Sequence, residues 1–113
     1  MSKVQQLNLV EEIEKASWRI GPHVLHTPLF RSVYLEELNG GTVGLKLESE
    51  QYTGSFKARG ALNKVLSMTP EEKANGLVTA STGNHAQGFA RALAISGDRG
   101  LIYLPENAEP SKV

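Results

Sequence analysis

The chain predicts an α/β fold, a partial three-layer parallel sheet with flanking helices. Three observations carry this. Short aliphatic or β-branched runs at Val43–Leu47, Leu77–Ala80 and Leu101–Leu104 have strand character. Between them lie segments with helical spacing of apolar residues, at Lys57–Met68 and around Ala86–Leu93. Strands that alternate with helices pair in parallel through right-handed crossovers. At 113 residues the chain is at most one domain with a modest core.

Each element has a local reason. Asn8 caps a first helix, and Glu11 three residues on completes a capping box. Val10, Ile13 and Ile20, with Ala16 between, share one apolar face of it. Gly21-Pro22 stops it, with glycine at the left-handed position. Val33–Leu38 is a short helix ended by Asn39-Gly40-Gly41. The helix from Lys57 to Met68 takes Ser55 as cap and turns Ala61, Leu62, Val65 and Leu66 inward. Thr69-Pro70-Glu71-Glu72 starts another helix, with Thr69 as cap, Pro70 in the first turn and Glu72 closing a box; Asn75-Gly76 ends it. Ala86, Phe89, Ala90 and Leu93 define the face of the last helix, which Gly97 stops.

Composition narrows the function. The 12 basic and 12 acidic side chains cancel, so neither nucleic acid nor an anionic membrane is an expected partner. Cysteine is absent, which removes disulfide and thiolate chemistry. No apolar run approaches the ~20 residues that span a bilayer, and the N-terminus has no apolar signal region, so a cytoplasmic location is the expectation.

Two loops carry the chemistry. In Thr53-Gly54-Ser55-Phe56-Lys57-Ala58-Arg59-Gly60 a lysine stands at the mouth of a helix behind a Gly-Ser turn. A Schiff-base lysine must be fixed in place and partly desolvated, which Gly54, Phe56 and the helix N-terminus would favour. An amphipathic helix also carries solvated lysines, so this motif alone leaves both readings open. In Ser81-Thr82-Gly83-Asn84-His85 the loop leaves the carboxyl end of a strand and opens a helix, where anions bind to free N–H groups. A substrate carboxylate fits there; Ser81 or Asn84 as a plain helix cap is the alternative. His23 and His26 lack a fixed third ligand, so no metal is expected. Glu48 and Glu50 read as an exposed strand end, and Trp18 as packing.

Together these loops are more specific than either alone. The chain resembles the threonine/serine dehydratases among the fold-type II pyridoxal-phosphate enzymes, relatives of serine racemase, threonine synthase and the tryptophan synthase β subunit. The matching residues run from about Leu7 to Val113 and come in order: His26-Thr27-Pro28-Leu29; Leu45-Lys46-Leu47-Glu48 through Gln51 to Thr53–Lys57; Ala80–Gly88; and Pro105-Glu106-Asn107-Ala108.

The resemblance implies pyridoxal 5'-phosphate as cofactor. It implies that Lys57 forms the Schiff base with it beside Phe56, that Asn84 meets the ring hydroxyl, and that Ser81, Thr82, Gly83, Asn84 and His85 hold the substrate carboxylate. It also implies a small amino-acid substrate, L-threonine or L-serine, converted to a 2-oxo acid and ammonia. A homo-oligomer is implied for the full-length form.

Two departures qualify it. Thr82 stands where racemases of this family carry a serine acid/base, and is more like the synthase branches, so racemisation is not expected. The family's Gly-rich loop for the cofactor phosphate has no counterpart here, nor does the residue that meets the pyridine nitrogen. The chain therefore reads as an N-terminal fragment. Residues 1–40 would be a helical segment that packs on a large domain outside it, leaving the Val10, Ile13 and Ile20 face underburied. Residues 41–113 would be part of a small α/β domain. A catalytically inactive truncated fragment, and a related synthase or racemase on the same cofactor, are the alternatives.

Overall fold

The computed structural model describes residues 8–108 and 110. The order of elements is α1 (Leu9–Ile20), β1 (Leu29–Arg31), α2 (Val33–Asn39), β2 (Gly44–Lys46), α3 (Lys57–Ser67), α4 (Pro70–Lys73), β3 (Leu77–Ala80), α5 (Asn84–Ser96) and β4 (Gly100–Tyr103). The α/β class holds. The strands form two small sheets: β3 pairs in parallel with β4, Leu77 opposite Gly100 through Ala80 opposite Tyr103.

The strand around Val43–Leu47 has a different partner from the one expected. Here β2 pairs antiparallel with β1, Phe30 opposite Leu45, and forms a separate sheet. The segment Pro28–Arg31 carries too few residues to show a period, so its strand was invisible in the sequence. Its ladder is extended by Leu47 N–H donating to the Pro28 carbonyl and Ser32 N–H to that of Val43.

The core lies where α3 and α5 cross over the inner face of β3. Ile20, Ala61, Leu62, Val65, Leu77, Phe89 and Ala92 are buried together there. Each large side chain among them contributes roughly 1.5–3 kcal/mol of transfer free energy. On α5 the inward face includes Gly88 and Ala92, whereas Ala90, expected inside, is exposed.

The helix ends follow local chemistry with some exceptions. Thr69 and Glu72 form the full capping box of α4. Asn8 caps α1 through Glu11 N–H, but the Glu11 carboxylate pairs with Lys15 Nζ at 2.6 Å instead of turning back to the cap. Gly21 is right-handed, at φ −47°; α1 runs into a 3-10 turn over Gly21–His23, and the stop comes from Pro22, which has no N–H for the ladder. The face of α1 is split: Val10 and Ile13 are 67% and 58% exposed, while Ile20 is 7% exposed because it reaches the core beside α3. Trp18, expected to pack, is 85% exposed. The Asn8 cap is described, whereas the ends of the chain, residues 1–7, 109 and 111–113, lie outside the described residues.

Candidate active site

Lys57 is delivered by a tight turn. Gly54 takes a left-handed φ of 69°, and its N–H donates to the Gln51 carbonyl at 2.7 Å. Ser55 is buried, and its Oγ accepts from Lys57 N–H at 3.3 Å; the α3 cap position itself is Phe56, without a side-chain cap bond. Thr53 Oγ1 is buried without a hydrogen-bond partner. The amine of Lys57 stands 5.3 Å from the centroid of the Phe56 ring. Both side chains are exposed, so Phe56 does not bury the amine as the sequence suggested. A cation over a ring face is held by the ring quadrupole without being removed from water.

The second loop continues from β3. Ser81 N–H donates to the Tyr103 carbonyl at 3.2 Å, adding one rung to the ladder, and Ser81 Oγ accepts from Gly83 N–H at 3.3 Å. Gly83 is the cap residue of α5 and supplies no side-chain bond. Neither Ser81 nor Asn84 caps the helix, and among the described residues no side chain accepts from the first-turn N–H groups. Thr82 and Asn84 are exposed beside them. His85 differs: its Nε2 is 3.0 Å from Thr79 Oγ1, and its ring stacks on Phe89 with centroids 6.5 Å apart. The ring lines a groove of about 270 Å³ with Lys64, Val65 and Met68, so what His85 has available at the helix mouth is its backbone N–H.

One helix crossing brings the two loops together. Gly88 of α5 abuts the main chain of Lys57; a Cβ there would be 2.9 Å from the Lys57 carbonyl oxygen. Residues Asn84 to Gly88 rise about 6 Å along the helix. The four-carbon stem of a lysine spans such a distance. The contact therefore sets the main chain of Lys57 about one lysine side-chain length from the N-terminus of α5, while the amine itself stands over Phe56.

A polar tie beneath the turn was missed by the sequence reading. Glu48 accepts two bonds from Arg59, 2.8 Å from Nε and 2.7 Å from Nη2, and a third from the Thr27 hydroxyl. Gln51 is buried and bonds both main-chain groups of Leu25, at 2.9 and 3.0 Å. Lys46 Nζ donates to the Thr27 carbonyl. Arg59 draws the Glu48 carboxyl down to about 2, with Thr27 adding to the effect against the cost of burial. Far from an exposed strand end, Glu48 clamps the start of α3 to the segment 25–27. The available signal was a pair of opposite charges, Glu48 and Arg59, bracketing the lysine turn.

The donor set suits pyridoxal phosphate on its reactive side: a primary amine for an aldehyde, an amide at Asn84 for a ring hydroxyl, and free N–H groups for a carboxylate. Comparisons with known proteins point to the same cofactor. Over 102 residues the chain is 46% identical to the catabolic L-threonine dehydratase TdcB of Staphylococcus aureus (strain USA300), covering 89% of this chain and 30% of that protein. A solved T.th. threonine deaminase superposes with a TM-score of 0.70 at 43% identity, covering 86% of this chain and 34% of that one. A pyridoxal 5'-phosphate-dependent aspartate racemase superposes with a TM-score of 0.82 at 37% identity, covering 99% and 35%. The chain thus spans about a third of the length of the relatives it matches. Residues 20–113 match the profile of the pyridoxal-phosphate dependent enzymes, and the chain belongs to that family.

Proposed function

We propose that this chain carries the lysine-bearing part of an ammonia-lyase that converts L-threonine or L-serine to a 2-oxo acid and ammonia. The observation that supports it is the packing of Gly88 on Lys57, in which the main chain of the lysine lies one helical turn behind the open N-terminus of α5. Threonine dehydratases and deaminases among the relatives support L-threonine, and L-serine comes from the family resemblance alone. The cofactor, when bound, supplies the electron sink that makes the substrate α-proton acidic.

The chain's own residues do the rest. Lys57 Nζ would hold the cofactor and, as a free amine, would accept the substrate α-proton as general base. The N–H groups of Asn84, His85 and Ala86, with the Thr82 hydroxyl, orient the substrate carboxylate. Asn84 holds the ring hydroxyl through its side-chain amide. Ser81 shapes the loop through its bond to Gly83 and offers its hydroxyl hydrogen. The β-hydroxyl leaves with a proton as water, the released enamine tautomerises to an imine, and hydrolysis of that imine by one water yields the 2-oxo acid and ammonia. A cytoplasmic setting and a homo-oligomeric longer protein belong to this reading.

The similarity to aspartate and serine racemases favours a second reading, in which the Thr82 hydroxyl returns a proton to the opposite face. Threonine adds a methyl group at that point, which disfavours it. The test is reductive trapping of pyridoxal phosphate with borohydride, then peptide mapping. A stoichiometric adduct on Lys57, absent from Lys57→Ala, supports the cofactor role. Labels scattered over Lys15, Lys64 and Lys73 sink it. Turnover of L-threonine and L-serine to 2-oxo acid, against chiral analysis for the D-isomers, separates lyase from racemase.

A further inference from the structure

We propose that Arg91 is a positioning residue for Lys57 and acts through Tyr52. The proposal rests on Lys57 being the cofactor-bearing amine. Arg91 lies on α5 three residues beyond Gly88, on the same side of the helix. Its Cζ is 3.9 Å from the centroid of the Tyr52 ring. Its Nη2 also donates to the His23 carbonyl at 3.2 Å, which fixes the guanidinium plane.

Tyr52 is the second residue of the turn from Gln51 to Gly54 that leads to Lys57. Gln51, just before it, is pinned to the Leu25 main chain. After the turn, Lys57 is pinned by Gly88. Tyr52 therefore ties the entrance of the turn to the same helix that packs on its exit. That helix also carries Asn84 at its mouth, so amine and donors are held to one rigid element. Tyr52 is 55% exposed, which places the stack outside the core. A planar guanidinium on an aromatic face suits such a surface clamp, combining charge–quadrupole attraction with stacking.

The test uses Arg91→Met, Arg91→Lys and Tyr52→Phe in the whole chain. Asp98→Ala serves as a control; it breaks the 2.6 Å ion pair with Lys73 beyond the other end of α5. Hydrogen exchange is followed at the Gly54 and Lys57 amides, and the rate of borohydride trapping with pyridoxal phosphate at Lys57 is compared with that at Lys64. In Arg91→Met, exchange at both amides should quicken about fivefold and trapping at Lys57 should slow about fivefold, the size of an exposed cation–π contact. Arg91→Lys should recover part of both, Tyr52→Phe nearly all, and Asp98→Ala should behave as the parent chain. Unchanged exchange in Arg91→Met overturns the proposal. So does faster exchange with unchanged trapping, or a control that matches Arg91→Met. If the parent chain does not trap at Lys57, the proposed function fails, and the exchange rates alone decide whether Arg91 holds the turn.

Discussion

Gly88 lies directly against the main chain of Lys57: a Cβ on residue 88 would stand 2.9 Å from the Lys57 carbonyl oxygen and 3.0 Å from its carbonyl carbon. Backbone cannot yield as a side-chain tip can, so any larger residue must drive α3 and α5 apart. Gly88→Ala is expected to cost about 1–3 kcal/mol, the usual range for overpacking. Gly60 on α3 has open space around its Cβ position, and Gly60→Ala should stabilise by about 0.5–1 kcal/mol. Urea unfolding of the two variants checks both signs.

Lys57→Ala separates chemistry from folding. The side chain is exposed and its amine lies over the exposed Phe56 ring. Stability should change by no more than about 0.5 kcal/mol, as for other surface substitutions. Covalent trapping of pyridoxal phosphate should disappear. Thermal unfolding beside mass analysis of the trapped protein reads the two effects independently.

The Glu48–Arg59 pair predicts an acid limb. The folded carboxyl sits at about 2, against an ordinary value of 4.5. A depressed carboxyl stabilises the fold fully above 4.5, and that stability is lost as pH falls from 4.5 towards 2. With solvent screening at this partly exposed pair, the effect is on the order of 1–2 kcal/mol. Glu48→Gln should lose that amount at neutral pH and flatten the profile below pH 4.5, measured as the urea midpoint against pH.

Among the described residues, two of the open apolar faces stand on α1 and on the sheet of β3 and β4. Val10 and Ile13 on α1 form one, and Val78, Leu101 and Tyr103 on the outer face of β3 and β4 form the other. Faces of this kind bind hydrophobic dyes. The chain should bind ANS while retaining a cooperative thermal transition. Val78→Thr with Leu101→Thr should lower the dye signal at unchanged helix content, because threonine keeps strand preference and removes apolar surface. Dye binding that does not respond to these changes or to Ile13→Lys would show that the signal comes from elsewhere.

Short-range chemistry was legible in the sequence. The caps at Asn8 and Thr69, the αL stop at Gly97, helices α3 and α5 and strands β3 and β4 all lie within two residues of where spacing put them. Each depends on residues a turn or less apart, so the local sequence holds the needed information. Both loops of the candidate site were legible for the same reason, because each is one unbroken run.

Contacts across larger separations were decided by packing. The partner of β2 depended on a three-residue strand with no period of its own. Arg59 reaches Glu48 eleven residues away and the Leu25 carbonyl thirty-four residues away, so an acid that looked exposed became an anchor. His85 turned to Thr79 and Phe89 because the first turn of α5 places its ring over β3. By itself the sequence determined where the helices, the strands β2, β3 and β4 and the reactive groups occur along the chain. Only the tertiary structure determined that Lys57 is set behind the α5 N-terminus, because that depends on two backbones touching at Gly88, a contact between residues thirty-one positions apart.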